Sequence, residues 1–115
     1  MKVQLQEQTL RLRLDEAELA ALQAGTGVGN RTRLLPDCVF SVRIHLTDVD
    51  ESAMHALAGD IWVGLPRSLL APYVARLPCR EGLRIEFPLD GADRLTLDIE
   101  VDVRDSVRSR GPGRR

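Results

Sequence analysis

The residues of this chain suited to metal or nucleophilic chemistry are Cys38, Cys79, His45, His55 and the carboxylates Asp98, Glu100 and Asp102. Cys38 and His45 lie an odd number of positions apart on one alternating stretch. They therefore point to opposite faces and cannot share an ion. Cys79 and His55 fall into no C-x₂-C or H-x₃-H arrangement, so neither a metal nor a cofactor is expected. Cys38 reads as a small core residue. Cys79 stands between Pro78 and Arg80, ahead of a strand. A guanidinium beside a thiol favours thiolate, which makes Cys79 the candidate reactive thiol of a thiol-dependent enzyme or redox protein. No histidine is placed by the sequence to act as its base, and a half-buried loop cysteine without a role is the favoured reading.

From Arg94 to Arg104 the chain alternates without a miss, with Leu95, Leu97, Ile99, Val101 and Val103 on one side. Asp98, Glu100 and Asp102 share the other side with Arg94, Thr96 and Arg104. A period of two over this length means one strand with a buried face and a wet face. Successive carboxylates on that face stand about 7 Å apart, too far for one small ion without ligands from elsewhere. With Arg84, Arg94 and Arg104 nearby, they read as cross-strand pairs on a solvated surface. The glycines Gly25, Gly27 and Gly29 follow a helix, whereas a phosphate cradle precedes one.

Arginine supplies the case for nucleic acid. Arg11 and Arg13 face outward on one strand, Arg31 and Arg33 lie on another, and Arg108, Arg110, Arg114 and Arg115 close the chain. From Arg104 onward there are five arginines against one aspartate, while residues 1–103 are acidic overall. Such a tail alone binds phosphates weakly and without sequence preference, with Kd on the order of 10⁻⁴ to 10⁻⁶ M. Against this reading stand the acidic body and the lack of an aromatic platform on the arginine-bearing strands. Trp62 is the remaining outlier. Its parity is opposite to that of Ile61, Val63 and Leu65, which makes it the candidate partner contact, the even alternative being that it packs under the Thr47–Gly59 loop.

One domain over residues 1–104, followed by a disordered basic tail at 105–115, is expected to carry these groups. No apolar run is long enough to span a membrane, and MKVQLQEQ has no signal-peptide h-region. Two unrelated cysteines suggest no disulfide framework, so a reducing cytoplasmic setting is expected.

Along the chain, Val3–Leu5 and Leu10–Leu14 form a hairpin about Glu7-Gln8, with Leu5 facing Leu10 and Val3 facing Leu12. Asp15 and Glu18 form a capping box for a helix that buries Leu19 and Leu22 and stops at Gly25. Gly27 to Asn30 is a connector, and Arg31 to Leu34 is a short strand before a turn at Pro36-Asp37. The next strand turns Cys38, Phe40, Val42, Ile44 and Leu46 inward and Ser41, Arg43 and His45 outward. An acidic loop from Thr47 to Glu51 leads into a helical turn around Met54 and Leu57. A strand over Asp60 to Leu65 precedes a second helix beginning at Pro66 and carrying Leu69, Leu70, Tyr73, Val74 and Leu77, with Pro72 delaying or kinking it. Finally, a loop centred on Gly91 pairs Phe87 with Leu95, Ile85 with Leu97 and Leu83 with Ile99. No internal repeat is visible. These elements predict an α+β fold: a mostly antiparallel sheet of five to seven strands with two helices packed on one face.

The segments KVQLQEQTLRLRLDEAELAAL, RTR at 31–33 and IWVGLPRSLLAPYVA at 61–75 resemble a small bacterial family of single-domain proteins. Its marks are an N-terminal LRLRL hairpin with a capped helix, an L-P-R-x-L helix start and a long final strand. The resemblance covers most of residues 1–104 and implies the fold; it implies no activity, cofactor or site residues. Glu7-Gln8 departs from the family's Gly-Asn turn, and Glu100-Val101-Asp102-Val103 lacks its closing lysine and aromatic. The function expected is that of a small non-enzymatic binding or self-associating domain, meeting a protein partner or a second copy through Trp62. Weak nucleic-acid binding by the tail and thiol chemistry at Cys79 are the alternatives.

Overall fold

The computed structural model describes residues 1–103. The expected tail contacts Arg108, Arg110, Arg114 and Arg115 lie outside the described residues. In chain order the elements are β1 (Lys2–Gln6), β2 (Thr9–Leu14), α1 (Glu16–Gln23), β3 (Val28–Leu35), β4 (Cys38–Thr47), β5 (Ala53–Leu57), β6 (Asp60–Pro66), α2 (Arg67–Ala75), β7 (Leu83–Pro88) and β8 (Arg94–Val101).

The strands form two four-stranded sheets, ordered β1-β2-β8-β7 and β3-β4-β6-β5. In each, the two central strands run parallel and both outer pairings are antiparallel. The α+β class therefore holds, but the single, mostly antiparallel sheet with helices on one face does not. Short turns force antiparallel pairing only between neighbours in sequence. β2 meets β8, and β4 meets β6, across long stretches of chain that impose no direction.

One cluster of buried residues draws from both sheets. Leu10, Leu12, Leu14, Leu97, Ile99 and Val101 come from the first, and Val28, Val42, Ile44, Val63 and Leu65 from the second. Leu19 and Leu22 of α1 and Leu70 and Tyr73 of α2 belong to the same cluster. Each helix carries the chain from one sheet to the other, α1 after β2 and α2 after β6.

Local chemistry explains most element ends. The Asp15 carboxylate accepts from the Glu18 amide at 2.7 Å while Glu18 accepts from the Asp15 amide at 3.0 Å, so two amides without helical partners are satisfied reciprocally. Gly25, at φ 95°, ends that helix in the left-handed region. The first hairpin has the expected register, Val3 opposite Leu12 and Leu5 opposite Leu10, with Glu7 at φ 53° in the turn. The β7–β8 pairing also follows the expected register.

Several segments differ from their sequence reading. Met54 and Leu57 lie in strand β5, not in a helical turn, because β5 pairs along β6 through a two-residue turn at Ala58-Gly59. Both turn residues have positive φ, as a type I′ hairpin connection requires. The connector at Gly29 and Asn30 is part of β3, zipped to β4. Cys38 is exposed, since the β3–β4 hairpin runs on past the end of the core and leaves residues 31–38 in solvent. Helix α2 starts at Arg67 with Pro66 as its cap residue, and Pro72 is accommodated within it.

An internal repeat is present. The halves β1-β2-α1-β3-β4 and β5-β6-α2-β7-β8 have the same element order, and each gives its first hairpin to one sheet and its second to the other. Buried residues correspond in turn: Leu10 with Ile61, Leu12 with Val63, Leu14 with Leu65, Leu19 with Leu70 and Leu22 with Tyr73. In the second hairpins, Val42 corresponds with Leu97 and Ile44 with Ile99.

Candidate functional site

Each sheet turns one face to the core and the other to solvent, so chemistry is confined to the two outer faces and the rims. On the first sheet, Gln4, Arg11, Asp98 and Arg84 stand side by side in one row across the four strands. Asp98 is buried beneath this row, with Arg84 Nε 3.3 Å from its Oδ1. In the next row Glu100 lies 3.5 Å from Arg11 Nε and 3.8 Å from Arg13 Nη2. Arg94 lies 3.6 Å from Glu86. The predicted nucleic-acid contacts Arg11 and Arg13 thus converge on one carboxylate. The acidic face of β8 is an ion-pair lattice, with its arginines drawn from β2 and β7.

The second sheet is built otherwise. Its outward positions are Gly29, Arg31 and Arg33 on β3, Ser41, Arg43 and His45 on β4, Asp60, Trp62 and Gly64 on β6, and His55 on β5. His55, Trp62, Arg43 and Gly29 form a single row. Trp62 is 36 % exposed at its centre. Arg31, Arg33 and Arg43 have no ion pair among the described residues, although the Arg33 guanidinium donates to the Pro36 carbonyl at 2.7 and 3.2 Å. Asp60 is the one carboxylate at these outward positions, and its Oδ1 accepts from the Ser41 hydroxyl at 2.6 Å.

A Cβ on Gly29 would meet the Val42 carbonyl oxygen at 2.7 Å, so no side chain fits beside Arg43 without backbone movement. Gly64, two residues beyond Trp62 on the same face, has the Thr47 methyl 3.2 Å from where a Cβ would stand. An open trough of about 540 Å³ on this face is lined by Gly27, Gly29, Arg31, Arg43, Asp60 and Trp62, among others. Sequence parity had placed Trp62, Arg43 and His45 outward. It did not bring them together with Arg31 and His55, because that needs the β4–β6 parallel pairing.

Cys79 lies in a smaller cleft of about 330 Å³ with Arg13, Tyr73, Arg80, Glu100 and Asp102. Its thiol donates to the Glu81 carbonyl at 3.2 Å. Both histidines are on the second sheet, so neither reaches this thiol. Tyr73 at its wall is buried, and its hydroxyl accepts from the Val101 amide at 3.2 Å. Burial raises the Tyr73 pKa, with Cys79 and Glu100 adding to the effect, while the Val101 bond and Arg76 oppose it. Among the described residues no three His, Cys, Asp or Glu side chains gather as a metal set, and no helix is long and apolar enough to cross a membrane.

No protein-family model matches this chain, and no curated protein matches it.

Proposed function

We propose that this chain is a non-catalytic binding domain whose contact surface is the outer face of the second sheet, centred on Trp62. The observation that supports this reading is the row His55-Trp62-Arg43-Gly29. It presents an indole and a guanidinium, with no carboxylate paired to the arginine among the described residues. Tryptophan and arginine are the residues most enriched where binding energy concentrates. The two groups lie on rigid, hydrogen-bonded strands, so little ordering is needed on contact.

Trp62 is the only tryptophan, so its emission reports on this face alone. The test is to follow that emission while adding single-stranded and duplex oligonucleotides, heparin fragments and polyglutamate, and while concentrating the protein with sedimentation in parallel. A saturable change with one of these, lost on Arg43→Glu, is the expected result. Emission indifferent to all of them, with a monomer throughout, removes the reading.

A further inference from the structure

We propose that the occupant of this trough is single-stranded nucleic acid, with one base stacked on Trp62 and neighbouring phosphates on Arg43, Arg31 and Arg33. This deepens the reading above and rests on it.

Charge complementarity carries the first part of the argument. Three guanidinium groups on one outer face lack ion pairs among the described residues, whereas the arginines on the first sheet's face are matched by Asp98, Glu100 and Glu86. A surface of unmatched cations fits a polyanion. Arg31 and Arg33 stand at successive same-face positions of β3, about 7 Å apart, and Arg43 lies one strand and one row away. They form a short track, not a single point of charge.

The tryptophan selects among polyanions. An exposed indole between Arg43 and His55 gains little from a run of carboxylates, whereas a nucleobase stacks on it whatever its identity. Bases in a duplex are already stacked on one another, so the strand must be single. A trough of about 540 Å³ on a flat sheet has room for a base and its phosphate without any lid.

The experiment uses the full chain and two readouts: anisotropy of a labelled oligothymidylate of about a dozen residues, and emission of Trp62. Saturable quenching of Trp62 by the oligonucleotide is expected. Trp62→Ala should weaken binding roughly 5- to 150-fold, the range for loss of one base–aromatic stack. With three phosphates neutralised, log affinity should fall against log salt with a slope of about −2, shrinking by about 0.7 in Arg43→Gln. Serine at Arg108, Arg110, Arg114 and Arg115 together should leave the quenching in place, which separates this face from the basic tail.

Equal affinity in Trp62→Ala overturns the proposal, as does saturation without quenching, or a duplex competing as well as the single strand. Loss of quenching in the tail variant overturns it too. If heparin, polyglutamate or self-association perturbs Trp62 while the oligonucleotide does not, the nucleic-acid proposal falls and the contact surface stands. If nothing perturbs it, both fall.

Discussion

The two sheets hold equivalent places in a duplicated fold, and their outer faces have diverged completely. Where the first sheet has Gln4, Arg11, Asp98 and Arg84 in a row, the second has His55, Trp62, Arg43 and Gly29. Arg11 corresponds to Trp62, and Asp98 to Arg43. One further row along, Glu100 corresponds to His45 and Arg13 to Gly64. The first face answers each charge with its opposite and so has little left to offer a partner. On the second face the carboxylates are replaced by a cation and a histidine, and large side chains by glycine. A self-satisfied surface and an unsatisfied one, on the same scaffold, separate what the fold needs from what a ligand needs.

If that is the correct division, the cores must behave alike while the faces do not. Ile44 and Ile99 are the equivalent central residues of β4 and β8, and both are essentially fully buried. Each packs beside the facing central strand, Ile44 at Val63 and Ile99 at Leu12. Ile44→Ala and Ile99→Ala should each destabilise the domain by about 2–5 kcal/mol, and by amounts within about 1 kcal/mol of each other. Urea denaturation of the two variants checks this. A large inequality would mean that the halves are not energetically equivalent, and the comparison of their faces would lose its reference.

The duplication was hidden in the sequence for a physical reason. Leu12 and Val63, or Leu22 and Tyr73, share burial but not identity, while the outward residues of the two halves differ altogether. The first hairpin turns are equally long, but the connections after the helices and the second hairpin loops differ in length, so no single spacing superposes the whole of both halves. What was legible came from short-range rules: the Asp15–Glu18 capping box, the Val3–Leu12 and Phe87–Leu95 registers, and the outward parity of Trp62. Long-range parallel pairing has no such signal. The strand character of β5 was missed because Ala58-Gly59 is weak turn chemistry and Met54 is not a strong strand former. The row around Trp62 was consequently invisible, although every residue in it except Gly29 and His55 had been assigned to the correct side.

The contrast between the faces is sharpened by removing one charge from each. Glu100 Oε2 and Arg11 Nε are buried, and they face each other at 3.5 Å without a well-formed hydrogen bond. Glu100→Ala would remove the carboxylate that Arg11 and Arg13 both face and, with both arginine side chains partly exposed, is expected to cost up to about 1 kcal/mol of stability. Arg43 is exposed and pairs with no acid among the described residues, so Arg43→Ala should change stability by no more than about 0.5 kcal/mol. Thermal denaturation in low salt compares them directly. An Arg43→Ala loss as large as that of Glu100→Ala would make the second face's cations structural, and their exposure would no longer argue for a ligand.

The helices carry the last asymmetry. Leu22 of α1 corresponds to Tyr73 of α2, and only the latter brings a polar atom into the core. Its hydroxyl accepts from the amide at the end of β8, and burial favours the neutral phenol. Tyr73→Phe keeps the ring and should cost about 1 kcal/mol near neutral pH through the lost hydrogen bond. The pH dependence follows from the raised folded pKa. Below the ordinary value of 10.0 both folded and unfolded chains carry the proton, and the stabilising contribution is complete. As pH rises past that value the unfolded chain releases its proton first, and stability declines until the folded phenol ionises as well. Wild type should therefore lead Tyr73→Phe near neutrality and lose that lead above pH 10.0, as measured by chemical denaturation across the range. A gap independent of pH would show that the phenol is hydrated in the folded protein. The helix contribution to the shared core would then be the same in both halves, leaving the outer faces as the only place where the duplicated units part company.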